Sequence, residues 1–245
     1  MIVEVCIGSV PCAYESLKGG AQRVELCDNL NEGGTTPSYG TIVASRKIKG
    51  LKTMVMIRPR GGDFLYTDTE FEIMKEDVRV ARMLGADGVV FGILKKDGSI
   101  DVDRAEQLID LAGDLEVTHH RAFDMCKDPF LAMEQLIRIG VKRILTSGQH
   151  RNAWEGRHLI AELVKKAAGR IIIMPGAGVN EHNIAEMVAI TKAEEYHVAL
   201  TRKTPSLMEY RNEKAFMGSD SQPEFEHLLI DAERIKTFVD LLNKF

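Results

Sequence analysis

The sequence predicts an α/β chain closed into a single-domain (β/α)8 TIM barrel. Three observations carry this. Eight short β-rich runs alternate with helical stretches along the 245 residues, the rhythm of parallel βα units rather than of a sandwich. Eight such units in roughly 200 to 250 residues suit a barrel, whereas doubly wound sheets usually have fewer strands. The turn after the first strand, Gly8-Ser9-Val10-Pro11, lacks the glycine fingerprint of a dinucleotide fold.

The predicted strands are Ile2 to Ile7, Arg23 to Cys27, Lys52 to Arg58, Gly88 to Phe91, Glu116 to His120, Arg143 to Ser147, Arg170 to Met174 and Glu195 to Ala199. The helices are Pro11 to Lys18, Ser38 to Lys47, Thr69 to Leu84, Val102 to Leu111, Pro129 to Ile139, Trp154 to Ala168, Glu181 to Thr191 and Pro223 to Leu242. Leu84-Gly85-Ala86 and Ile139-Gly140-Val141 end helices on a glycine, which suits a left-handed closing residue. No linker or low-complexity segment divides residues 1–245, so one domain is expected. The polar stretch Thr201 to Gln222 is predicted as a loop near the barrel mouth, either a mobile lid or a connection.

Composition narrows the function. With 32 basic against 36 acidic residues the formal net charge is −4, and aromatics make up 6%. No global field draws the chain to nucleic acid or to an anionic membrane. The apolar runs are strand-sized, short of a bilayer span, and Glu4 stands where a signal peptide would carry positive charge. The expectation is a cytoplasmic protein with neither nucleic acid nor membrane as partner; a homo-oligomer stays open. Cys6, Cys12, Cys27 and Cys126 are too few for a disulfide scaffold and are expected as free thiols.

Strand alternation then places chemistry inside the barrel. With Val3, Val5, Val24 and Leu26 facing the helices, Glu4, Cys6, Glu25 and Cys27 face inward. The same rule turns Met54, Met56, Arg58, Thr118, His120 and His197 inward. Singly, each has an ordinary structural role: Glu4 and Glu25 as ion-pair partners of Arg58, the methionines as core. Together, near the end of a barrel where active sites occur, they predict a functional mouth. Arg58 and Arg60, in Arg58-Pro59-Arg60-Gly61-Gly62-Asp63-Phe64, present guanidinium forks to an anion. Ser147 and Gly148 after the sixth strand, and Gly176 and Gly178 after the seventh, offer backbone amides to a phosphate or carboxylate.

The runs Glu4-Val5-Cys6, Arg23-Val24-Glu25-Leu26-Cys27, Glu32-Gly33-Gly34-Thr35-Thr36-Pro37-Ser38, Met56 to Phe64, Asp87 to Gly92, His120-Arg121-Ala122-Phe123-Asp124, Leu145-Thr146-Ser147-Gly148 and Met174-Pro175-Gly176 resemble the copper homeostasis protein CutC family, from Met1 to about Gly218. The resemblance implies a cytoplasmic (β/α)8 barrel linked to copper tolerance, with Cys6 and Cys27 as metal ligands for Cu(I). Soft thiolates on adjacent strands suit Cu(I), and Met54 or Met56 could add a thioether. Two positions depart from the family pattern: His119 stands where Thr-Phe-His-Arg is usual, and Ala177 where a third glycine is usual. The alternative reading is an enzyme acting on a small anionic metabolite. It has Glu4 or Glu25 as catalytic base, His120 or His197 as catalytic acid, and Arg58, Arg60 and Arg121 as clamps.

Overall fold

A computed structural model describes residues 1–212, 214–215 and 224–245. In chain order the barrel units are β1 Ile2–Ile7 and α1 Val10–Lys18, β2 Arg23–Leu26 and α2 Tyr39–Ser45, β3 Lys52–Met56 and α3 Asp68–Met83, β4 Gly88–Phe91 and α4 Val102–Ala112. They continue with β5 Glu116–His119 and α5 Pro129–Arg138, β6 Arg143–Thr146 and α6 Arg157–Ala167, β7 Ile172–Pro175 and α7 Ile184–Thr191, and β8 Glu195–Val198. The eight strands pair in parallel, in the order β7-β6-β5-β4-β3-β2-β1-β8. The (β/α)8 barrel is thus nearly closed, its seam lying where β7 and β8 pack side by side.

Local chemistry sets the helix starts. Thr67 and Glu70 form a reciprocal capping box ahead of α3, and Asp101 and Asp128 cap α4 and α5 through their side chains. The outward faces of the strands, among them Val3, Val5, Val24, Leu26, Val55, Val89, Ile144, Ile173 and Val198, pack beneath the helices into one buried cluster. The inward faces belong to a separate, smaller cluster of Cys27, Met54, Met56 and Val90 with Cys6 against it. This partition positions the site: most apolar residues that stabilise the barrel lie outside it, and its interior holds sulfur and charge beside a few aliphatic side chains such as Val90 and Leu145.

After β8 the chain departs from expectation. Thr201–Pro205 is a strand, β9, paired antiparallel with β10, Glu226–Ile230, and α8 begins only at Ala232 and runs to Leu242. The predicted helix from Pro223 is shortened because His227-Leu228-Leu229-Ile230 joins this hairpin and Asp231 caps the helix that follows. Of the loop expected from Thr201 to Gln222, the first part is β9; residues 213 and 216–222, and Pro223 after it, lie outside the described residues.

Candidate functional site

The barrel floor is ionic. Arg23 bridges Glu4 and Glu195; Arg143 bridges Glu195, at 3.0 Å, and Glu116, at 2.7 Å. Lys52 extends the row, 3.6 Å from Glu116. Glu4, Arg23, Arg143 and Glu195 are buried, and each would cost several kcal/mol without a partner. Arg23, Arg143, Glu195 and Glu116 are absent from the sequence candidates. Yet the alternation that turns Glu25 and His197 inward does the same for Arg23 and Glu195.

Above the floor His197 links two acids. Its Nδ1 lies 2.9 Å from Glu4 Oε1 and its Nε2 3.8 Å from Glu25 Oε2. Burial pushes the Glu4 carboxyl up, but Arg23 beside it and the His197 contact outweigh this and hold it at about 2. Burial opposes charge on His197, yet Glu25 and the hydrogen-bonding Cys6 and Glu4 raise it well above the usual imidazole range. Glu25 is pushed well up, chiefly by burial. Glu4 is therefore the carboxyl of this group held ionised, while burial makes Glu25 resist ionisation and its neighbours favour a proton on His197.

The sulfurs come next. Single ligand atoms of Cys6, Glu25 and Cys27 all lie within 4.8 Å of one another. Hydrogen bonding to Cys27 lowers the Cys6 thiol well below its ordinary range, with help from His197. The same bond raises Cys27, which also donates to Glu25 Oε2 at 3.5 Å. Met56 lines the mouth cavity beside Cys6, whereas Met54 packs behind it against Gly88, where an added Cβ would lie 2.1 Å from the Met54 methyl. The two thioethers are thereby separated: Met56 has access to the sulfur pair from the cavity side.

That cavity, of about 200 Å³, brings Cys6, Glu25 and His197 together with Arg58, His120 and Arg121. Arg58 does not neutralise Glu4 or Glu25; it donates to the carbonyls of Glu32 at 2.7 Å and of Gly34 and Gly62 at 2.8 Å. Arg60 turns away to Glu70, at 2.6 Å, and Asp63, at 3.1 Å, and does not line the cavity. His120 Nδ1 accepts from the Ala122 amide at 3.1 Å. His119 is fully buried outside the cavity, its ring nitrogen Nδ1 3.1 Å from the His120 carbonyl. Cys12, in α1, and Cys126, after β5, do not line it either.

Much of the hydrogen-bonding capacity of the glycine turns serves the protein itself. Asp124, just past β5, accepts from the Ser147 amide at 3.0 Å, the Ser147 hydroxyl at 2.9 Å and the Gln149 amide at 3.2 Å. Arg121 Nε also donates to it at 2.8 Å. The anion expected on Ser147 and Gly148 is thus an internal carboxylate, and the Gly148 amide is spent on Thr146 Oγ1. Gly148 has φ +68 and packs against Gly156, leaving no room for a Cβ. The Gly176 amide donates to the Thr146 carbonyl, and the Gly178 carbonyl accepts from Asn180 and Asn183. Helix α7 starts at Ile184 rather than Glu181, so its N-terminal amides do not follow directly on these glycines. Ala177 has φ 71, a left-handed conformation that costs roughly 1–2 kcal/mol for a residue with a Cβ and that glycine would adopt freely.

Comparison with known proteins gives a consistent assignment. The model of the CutC family matches residues 1–202. A CutC family protein of Parabacteroides distasonis is 51% identical over 240 residues, covering 97% of this chain and 99% of that protein. The human copper homeostasis protein cutC homolog is 44% identical over 237 residues, with 96% and 87% covered. A solved CutC structure from Streptococcus agalactiae superposes with a TM-score of 0.77 at 38% identity, covering 80% of this chain and 97% of that one.

Proposed function

The chain belongs to the CutC family, and from that premise we propose that it serves copper homeostasis by binding Cu(I) as cargo in the barrel mouth, through Cys6 and Cys27. One observation supports this reading above the others: two thiols and the Met56 thioether form a soft, inward cluster beside a cavity that opens at the mouth. Cu(I) favours thiolate and thioether donors over the oxygen donors that surround them.

The two thiols differ in a useful way. Cys6, half-buried and with a lowered pKa, is the first ligand a Cu(I) ion would meet; Cys27, fully buried, must release its proton to become the second. Metal uptake is then coupled to proton release. The reading fits a cytoplasmic, reducing setting, in which all four cysteines stay as the free thiols seen here.

Anaerobic titration of the reduced protein with Cu(I), in competition with a chromogenic Cu(I) chelator, tests the proposal. The expected result is saturation at about one ion per chain, lost in the double variant Cys6→Ser, Cys27→Ser and kept in Cys126→Ser. Equal binding by the double variant would overturn it.

A further inference from the structure

Arg58 is 5% exposed at the mouth end of β3, and among the described residues it has no ion-pair partner. Three carbonyl oxygens and the Phe64 ring, 5.2 Å from the guanidinium carbon, orient the cation. None of them carries a net negative charge. The other two deeply buried guanidinium groups, Arg23 and Arg143, each have two carboxylates. A buried cation without a counter-ion is expensive, and this one lines the mouth cavity.

His120 points to the same space. Its Nδ1 is an acceptor for the Ala122 amide, so the proton of the neutral ring sits on Nε2. That Nε2 is buried, has no partner, and belongs to a residue lining the cavity. Gly92 makes the placement sterically possible, because a Cβ there would lie 2.6 Å from Nδ1. Burial, with His119 and Arg58 nearby, keeps the imidazole neutral by holding its pKa well below the usual range. Arg121 completes the set: Asp124 takes its Nε and Ser147 one of its terminal nitrogens, and neither uses Nη1.

We infer that this cavity binds a compact metabolite bearing an oxyanion, whose oxygens accept from His120 Nε2 and Arg121 Nη1 and whose charge balances Arg58. The oxyanion site inferred here is two arginines and a histidine, whereas Asp124 occupies the amides of Ser147 and Gln149 and the Thr146 carbonyl takes the Gly176 amide. Two further unpartnered buried atoms belong to residues lining the cavity, Arg58 Nε and Glu25 Oε1, and the second suits a hydroxyl elsewhere on the ligand. The volume of about 200 Å³ sets the size at a few carbons, below the range of drug-sized sites. The inference does not depend on copper, because Cys27 is outside the contact set.

The probes are inorganic phosphate, acetate and glycolate, each compared with chloride at equal ionic strength. Thermal unfolding and the 15N resonance of His120 Nε2 are followed. At least one probe should raise the melting temperature saturably and move that resonance, and the probe that does so distinguishes a phosphate from a carboxylate class. Arg121→Gln, at a half-exposed position, should weaken the apparent affinity roughly tenfold, the size of a lost hydrogen bond to a charged group. His120→Phe should do the same, and the response should appear in the metal-free protein. The inference is overturned if no probe exceeds chloride, or if the response survives unchanged in both Arg121→Gln and His120→Phe.

Discussion

His197 Nδ1 lies 2.9 Å from Glu4 Oε1, and through this contact the ionic floor of the barrel meets its sulfur-lined mouth. Glu4 is tied from below by Arg23 and from above by His197, and its carboxyl is held at about 2 against an ordinary 4.5. A depressed carboxyl pKa stabilises the fold above the unfolded value, and this stabilisation is lost as pH falls from about 4.5 to about 2. For a fully buried group the shift corresponds to on the order of 3 kcal/mol. Urea unfolding across that window should show the loss, and Glu4→Gln should flatten it. An unchanged acid slope in the variant would mean that other carboxyls carry the acid sensitivity.

Arg23 is the keystone of the floor, shared by Glu4 and Glu195. Arg23→Met leaves two buried carboxylates competing for fewer cations. Breaking a buried pair in this way costs about 3 to 5 kcal/mol. Equilibrium unfolding at neutral pH should register a loss of that size, whereas Arg60→Met, which removes a partly exposed pair outside the barrel, should cost under about 1 kcal/mol. Similar losses in the two variants would contradict the keystone role.

How far the molecule is legible in its sequence follows from which interactions are periodic. The strands lie within a few residues of expectation because valine, leucine and isoleucine recur at every second position where a strand meets the helices, as in Val3, Val5 and Ile7. The same alternation turns Glu4, Cys6, Glu25, Cys27 and His197 to the barrel interior, where they lie close together. Contacts without a period are invisible at that level. Asp124 fills the turn at Ser147 from 23 residues away, and Arg143 reaches Glu195 across 52. Arg58 reads as a partner for Glu4 or Glu25 on charge alone, but it is held by loop carbonyls whose direction only the fold reveals. The β9–β10 hairpin is hidden for a related reason: Glu226–Ile230 becomes a strand by pairing with a segment far away in sequence.

His119, the last residue of β5, is fully buried. Its Nδ1 donates to the His120 carbonyl, which leaves Nε2 buried without a partner. Burial holds the ring at about 4, below its ordinary 6.5. The unfolded chain therefore binds a proton before the folded one does, and stability is lost as pH falls from about 6.5 to about 4. This is the near-neutral window, above the one governed by Glu4. His119→Phe should remove on the order of 3 kcal/mol of this acid loss, seen as a melting temperature that falls less steeply between those pH values than that of the unaltered protein. A variant with the wild-type profile would assign the loss to His120, whose pKa is also depressed.

Cys6 is chemically distinct from the other three cysteines, and alkylation should show it. Hydrogen bonding from Cys27 and the adjoining His197 favour its thiolate, and it alone among the four is not fully buried. Burial pushes Cys126 up to about 11, and Cys27 is raised by donating to Cys6. Since the thiolate is the nucleophile, iodoacetamide at neutral pH should modify Cys6 first, with a rate roughly tenfold or more above that of any other cysteine in the folded protein. Peptide mass spectrometry over a time course reads the order directly. His197→Gln removes one of the groups that favour the thiolate and should slow the reaction at Cys6 while leaving Cys12 and Cys126 unchanged. Saturating the mouth with Cu(I) should protect Cys6 and Cys27 together. If Cys12 or Cys126 is labelled before Cys6, the lowered pKa assigned to Cys6 is wrong, and with it the order in which the two thiols are expected to meet the metal.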